Sequence, residues 1–412
     1  MLGRFAKYLD KTWNFSNSLD EVRDHRVWSA IPTASIYLSC FGMFSLGLPS
    51  FNAMEEQLVA PQRWEPWVGK KKPSADALGY ALERFDLESL RRRLVKRNHE
   101  IKRKKILQSY CKPYVAAAVD GHELFCSRKR CCLPTHCLER QIETAHGPIT
   151  EYYQRVVVLQ IVDAWPAMIL DLEPILPGEG EVTAAKRMLE RAKKLYPRFF
   201  DILTFDALYL QAPFTKTVIH LGWDLVVVLK QENRDLYKDV NGLMTITPPK
   251  TVETSHGQIQ YWDLQDLCSW TQLGQPIRVV CSQEKKIIRE RIARKWVEKV
   301  VPSEWRWISS LSAEAFDASQ VGRIGHSRWD IENRGFMELT QHWNMDHCFH
   351  HHPTAILALL FILAEAFVLC SIFYKRNLKP ILQSKICRLS LSRLFADDLS
   401  KTQSVSFWAH PP

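Results

Sequence analysis

A chain of 412 residues, 46% of them hydrophobic, is long enough to bury one large core and is too long for a single small binding module. Lys and Arg outnumber Asp and Glu by 55 to 45, giving a formal charge of +10 and a pI near 9.0, which points to an anionic partner such as nucleic acid or an acidic membrane surface. Eleven cysteines at irregular spacing, with no charged and apolar leader at the start, read as reduced thiols in a cytoplasmic protein.

Residues 1–112 show no strand pattern. Ile31 to Pro49 form an apolar run broken by Gly42 and Gly47, read as a packed helix, and Pro73-Ser74 before ADALGYALERF reads as an N-cap opening an amphipathic helix. The stretch from Glu88 to Leu107 carries Arg91, Arg92, Arg93, Lys96, Arg97, Lys102, Arg103, Lys104 and Lys105 around a stripe of Leu90, Leu94 and Ile101. So many cations with so few acids suggest a helix that contacts phosphates rather than a plain solvated face. The expectation is a helical, DNA-binding N-terminal region.

From Tyr114 the period changes. YVAAAVD, ELFCS, YYQRVVVLQIV and AMILDLEPIL are apolar, β-branched runs separated by turn residues, followed by a helix, VTAAKRMLERAKKLY, and a strand, FFDILTFDALY. That order is the one an RNase H-like core requires, and it defines a first core part over 113–213. Residues 214–305, with VIHLGWDLVVVLK, QIQYWDL and IRVVCSQ between Gly and Pro turns, read as a β-rich insertion. Within it, Glu284 to Val300 sets Ile288, Ile292 and Trp296 on one helical face with cations opposite. WRWISSL returns to the core as a strand, Ala313 to Trp343 reads as helix, and the second core part spans 306–376.

Ala355 to Tyr374 is twenty mostly apolar residues, long enough to span a membrane, but Glu365 at its middle is costly in lipid. A buried core helix and no membrane are expected. Residues 377–412, basic and Ser-rich, read as a mobile tail. The fold class is therefore α+β mixed, an RNase H-like mixed sheet flanked by helices and interrupted by the insertion.

Asp120 ends the first core strand in VDGHELF, and Asp206 ends the later one in FDALY. In an RNase H-like sheet these strands are neighbours. Glu332, in HSRWDIENRGF, is on a helix that would pack across the same sheet edge. Three convergent carboxylates can hold two Mg²⁺ ions, or Mn²⁺ in their place, because hard cations choose oxygen ligands. With 45 acidic residues in the chain such triples arise by chance, so the strand and helix context supplies the specificity.

Arg328-Trp329-Asp330-Ile331-Glu332 resembles the RWxIE segment of insertion-sequence DDE transposases, whose signature runs Tyr, two residues, Arg, three residues, Glu, six residues, Lys. Phe336, Glu338 and Leu339 continue the similarity, which covers about residues 113 to 375. It implies an RNase H-like transposase that cleaves transposon-end DNA and transfers the strand into target DNA, acting as a homodimer on double-stranded DNA at the nucleoid. It further implies phosphate contacts for the Tyr and Lys positions, which here are Gly325 and Leu339. His326, Arg334 or His342 are candidates to replace those contacts, and Arg328 and Trp329 complete the expected DNA-facing set with Arg91, Arg92, Arg93, Lys96, Lys104 and Lys105. The two departures keep a catalytically impaired DNA-binding remnant as the alternative.

Cys126, Cys131, Cys132 and Cys137 with His136 lack the paired CxxC spacing of structural zinc sites and read as a loop of reduced thiols. His347-Cys348-Phe349-His350-His351-His352 lacks a partner at defined spacing and is assigned no metal.

Overall fold

The computed structural model describes all residues except 59–64, 66–67, 130–131, 231–233, 255–256, 293–294 and 402–412. Among the described residues, ten strands form one mixed sheet. Counting from a two-residue strand β1 (Gln108–Ser109), they are β2 (Ala116–Ser127), β3 (Leu138–Thr144), β4 (Gly147–Val162), then β6 (Met168–Pro174) after the short β5 (Ala164–Trp165), β7 (Ile202–Phe205), β8 (Asp224–Val228), β9 (Lys250–Thr254), β10 (Gly257–Leu267), β11 (Ile277–Ile292) and β12 (Lys295–Ser309).

The central order is β6-β4-β2-β7-β8. β4 runs antiparallel to both its neighbours β6 and β2, whereas β7 and β8 run parallel to β2, and this is the RNase H-like arrangement. Their sequences are continuous apolar runs because both faces are covered: Ala116 to Val119, Val156 to Leu159 and Ile202 to Phe205 are all buried. YVAAAVD and ELFCS, read as two strands, are one strand with an irregularity between Glu123 and Phe125.

Two placements differ from the sequence expectation. VIHLGWDLVVVLK is not a strand of the insertion: its first part closes helix α7 (Ala212–His220) and its second is β8, the fifth strand of the core, parallel to β7. The remaining insertion, from helix α8 (Asp235–Ile246) through β9 to β12, rejoins the core sheet where β12 pairs antiparallel with β8. Glu284 to Val300 is likewise not helix. Its described residues, all but 293–294, belong to the long β11–β12 hairpin, which pairs from Arg278↔Ser309 to Ile292↔Lys295 and holds Trp296 exposed.

Numbered in chain order, the N-terminal helices are α1 (Leu2–Trp13), α2 (Thr33–Leu46), α3 (Phe51–Leu58), α4 (Ala75–Leu82) and α5 (Leu87–Arg103), and α6 (Glu181–Leu195) follows β6. After β12 come α9 (Ala318–Ser327), a π-helical turn (Ile331–Phe336), α10 (Met337–Trp343), α11 (Pro353–Asn377), α12 (Pro380–Lys385) and α13 (Arg388–Lys401). These N- and C-terminal helices share one hydrophobic core with the sheet: α11 contacts α2, α5 and β6. Residues 377–412, expected as a mobile tail, include helices α12 and α13. Leu391 and Phe395 of α13 are buried, and Asp398 pairs with the N-terminal amine of Met1.

By length and composition α11 could cross a membrane, as could the α2–α3 pair were it not bent by 104°. In the fold α11 is a core helix. Glu365 at its centre accepts hydrogen bonds from Arg93 Nε at 2.7 Å, from Arg97 Nε at 2.9 Å and from the Tyr37 hydroxyl.

This arrangement corrects the reading of the basic helix. Arg93 is buried against Glu365, and Arg91 is bound by Glu88 and by the fully buried Asp171, so neither guanidinium is free to meet a phosphate. Asp171 and Glu365 neutralise α5 from far along the chain, where the local charge count could not find them. Arg92 and Lys96 stay half-exposed with Asp86 and Glu21, and Lys104 sits 5.6 Å from the Trp13 ring. Lys105 lines a surface cleft with Tyr110, Trp165, Lys375 and Arg376.

Candidate active site

The parallel pairing of β2 with β7 runs Ala116↔Ile202, Ala117↔Leu203, Ala118↔Thr204. Continued by two residues, this register levels Asp120 with Asp206, so carboxylates distant in sequence stand side by side; Asp206 follows the end of β7, whereas Asp120, expected to end its strand, lies within β2, which runs on to Ser127. Asp206 also caps the short helical turn Ala207–Tyr209, accepting from Leu208 N at 2.9 Å. Asp120 accepts from Gly121 N at 3.0 Å and from Arg328 Nη1 at 2.9 Å.

Glu332 arrives from the other side of the site. The expected helix from Ala313 to Trp343 is α9 followed by the π turn Ile331–Phe336, which carries Glu332, and then α10. Such turns inside helices frequently mark functional positions. Arg328, one turn earlier and almost wholly buried, bridges the two elements: its Nη2 is 2.7 Å from Glu332 Oε1 while Nη1 holds Asp120. Its partners are thus the outer members of the carboxylate set and not Asp330, which instead accepts from Asp163 N.

Burial pushes the Asp120 carboxyl up to about 7; Arg328 opposes this, and the negative charges of Asp206, Glu181 and Glu332 add to it. A site with this much uncompensated negative charge fits a hard cation in charge and donor type, since every candidate ligand is a carboxylate oxygen. Among the described residues, however, no three His, Cys, Asp or Glu side chains already converge as a metal cage. Arg328 stands between Glu332 and Asp120, paired with both.

The positions that depart from the transposase signature have a physical reason. Gly325 is buried on α9 against Trp307, and a Cβ there would stand 2.3 Å from Trp307 Nε1. Leu339 is fully buried in α10. No side chain at either position can reach a phosphate. Gly325→Tyr is therefore expected to lower the unfolding temperature of the protein without strengthening DNA binding. A Tyr at 325 that left stability intact and tightened DNA binding in a fluorescence anisotropy titration would show that this helix can shift outward.

Of the other expected DNA-facing residues, Trp329 is part-exposed and packs edge-on to Trp305 at 5.2 Å. His326 lies between Trp305, Trp307 and Trp329, with ring centroids 4.8–6.1 Å away. Arg334 is half-exposed, 3.5 Å from Asp330. Cys132 and Cys137 are joined as a disulfide, against the expectation of reduced thiols there, and Cys131 lies outside the described residues.

Sequence reasoning passed over Glu181, Tyr209 and Arg155. Glu181 opens α6, where an acid in the first turn is adequately explained by the helix dipole, so nothing set it apart. In the fold its carboxylate accepts from Gly121 N at 3.1 Å, from the Tyr209 hydroxyl at 2.8 Å and from Arg155 at 2.6 Å.

Residues 168–369 match the family model described as the transposase DDE domain. The match begins at β6 and takes in Asp206, the insertion, Arg328 and Glu332, while the strand bearing Asp120 precedes it. No curated protein matches the chain in sequence. Over residues 168–369 this chain is similar to the transposase DDE domain family.

Proposed function

We propose that the protein is an active DDE transposase that cuts the ends of its own element and joins the freed 3′-hydroxyl to target DNA, with Asp120, Asp206 and Glu332 as the metal-binding carboxylates. The observation that carries this reading is the levelling of Asp120 with Asp206 by strand register, with Glu332 tied to Asp120 through Arg328. Divalent ions on such carboxylates, Mg²⁺ or Mn²⁺, would activate the attacking oxygen and stabilise the leaving one in an in-line displacement at phosphorus.

The chain's own residues have separable tasks. Asp120, within β2, and Asp206, directly after β7, form the rigid half of the site; Glu332, on a π turn and half-exposed, is the mobile half. Arg328 presents a planar fork that suits a phosphate as well as it suits two carboxylates, so a bound scissile phosphate competes for it and frees Glu332 to complete the site. Trp329, His326 and Arg334 flank the same face and contact the DNA next to the cut. Arg92, Lys96, Lys104 and Lys105 contribute phosphate contacts farther along the duplex. Two ends must be held together, so the working form is a homodimer on double-stranded DNA, in the cytoplasm at the nucleoid.

The decisive assay is cleavage and strand transfer on labelled DNA bearing the element's ends, with Mg²⁺ or Mn²⁺ and with the metal chelated. Metal-dependent products from the wild type that vanish in Glu332→Gln are expected. End binding by the wild type without any metal-dependent product would instead favour a non-catalytic DNA-binding remnant.

A further inference from the structure

The carboxylate of Glu181 touches both segments that carry the catalytic aspartates, strand β2 and the turn after β7. Oε1 accepts from the backbone N–H of Gly121, the residue after Asp120, and from the hydroxyl of Tyr209, in the turn that Asp206 caps. Oε2 is held by Arg155 on β4, the strand on the opposite side of β2 from β7. One side chain at the start of α6 therefore ties together β2, β4 and the turn after β7. It is almost completely buried, and all its contacts are within the fold.

The approach is close enough to dictate its neighbour. A Cβ on Gly121 would lie 2.1 Å from Glu181 Oε2, so glycine at 121 is what admits the carboxylate beside Asp120. Tyr209 is itself fully buried, and its hydroxyl has this one acceptor among the described residues. Burial of a fourth acid next to Asp120, Asp206 and Glu332 is costly for stability alone, because like charges in a poorly solvated site repel.

Resting on the transposase reading above, we infer that Glu181 is a positioning residue for the metal site, fixing the backbone at Asp120–Gly121 and the Asp206–Tyr209 turn at the separation that metal binding requires. It acts through hydrogen bonds to the segments bearing the ligands and is not itself a ligand. Groups that orient metal ligands typically change metal affinity by about 10- to 100-fold when removed.

The test is Mn²⁺ binding to the full-length, DNA-free protein, followed by electron paramagnetic resonance, with Asp120→Asn defining which binding belongs to this site. Thermal unfolding is recorded alongside for every variant. Glu181→Ala is expected to weaken Mn²⁺ binding by about tenfold or more. Glu181→Gln keeps an oxygen for Gly121 N–H and the Tyr209 hydroxyl, and is expected to restore most of that affinity. Tyr209→Phe, which removes a single hydroxyl, gives an independent reading with a smaller loss if Glu181→Ala does not fold.

Folded variants that bind Mn²⁺ as the wild type does, whatever their unfolding temperature, would reduce Glu181 to a structural residue and overturn the inference. A folded Glu181→Gln as impaired as Glu181→Ala would make charge the active property and overturn the positioning role. Absence of Asp120-dependent Mn²⁺ binding in the wild type would overturn the metal-site reading, and this inference with it.

Discussion

Asp120→Asn and Asp206→Asn are each expected to abolish metal-dependent nicking of element-end DNA while leaving affinity for the uncut ends within about twofold of the wild type. The substitution keeps shape and replaces one charged oxygen with an amide. A metal ligand of this kind accounts for several kcal/mol of transition-state stabilisation, and about 4 kcal/mol corresponds to a loss of about a thousandfold. Asp120→Asn separates from ordinary destabilisation by its effect on the fold. Burial raises the Asp120 carboxyl to about 7, with Arg328 opposing and Asp206, Glu181 and Glu332 reinforcing the rise. The folded protein therefore holds a proton there that the unfolded chain has released, so stability falls as pH rises from the ordinary carboxylate range to about 7. Asparagine removes that penalty, and Asp120→Asn is expected to unfold at or above the wild-type temperature at pH 8. Parallel cleavage assays and thermal scans read both effects; a variant that loses cutting together with its unfolding temperature would place Asp120 in the framework and not in the chemistry.

The same dependence on distant partners separates what could be read in the sequence from what could not. The core strands were legible because burial on both faces leaves unbroken apolar runs, and the two aspartates were legible because each ends such a run. Their shared level on the sheet follows from parallel register, which only pairing reveals. β8 was hidden because VIHLGWDLVVVLK looks like one strand, although Pro213 opens a helix and Gly222, at φ 76°, turns the chain between the two halves. The β11–β12 hairpin was hidden for a different reason: apolar residues spaced by four satisfy the period of a strand as well as that of a helix. Glu181 looks like an ordinary acid in a first helical turn until the fold sets it against Gly121. Gly325 and Leu339 looked like lost DNA contacts, whereas in the fold they are packing positions.

The charge on α5 is the clearest case, and it yields the largest expected effect on stability. Glu365→Ala leaves Arg93 buried without a counter-ion, since its remaining partners are the Ser18 carbonyl and hydroxyl, while Arg97 keeps Glu100. Breaking a buried ion pair on one side costs about 3–5 kcal/mol, a large part of the stability of most domains. Glu365→Gln is expected to cost nearly as much, because the amide matches the shape but not the charge. Burial by itself would raise the Glu365 carboxyl, but Arg93 and Arg97, with the Tyr37 hydroxyl, outweigh it and hold the group below its ordinary range. A depressed carboxyl stabilises the fold above its unfolded value and loses that contribution as pH falls through the folded one, so the wild type should lose stability on the acid side and Glu365→Gln should not share that arm. Urea unfolding of both proteins from pH 7 downward measures this difference. The same position also divides a core helix from a membrane span. In lipid, Glu365→Leu would remove a costly charge and improve insertion, whereas in this fold it strands the Arg93 guanidinium in the core and should destabilise the protein as Glu365→Ala does. Only when Arg93 is replaced together with Glu365 by apolar residues of similar volume should stability return, because the cost lies in the unpaired charge and not in the apolar surroundings of α11.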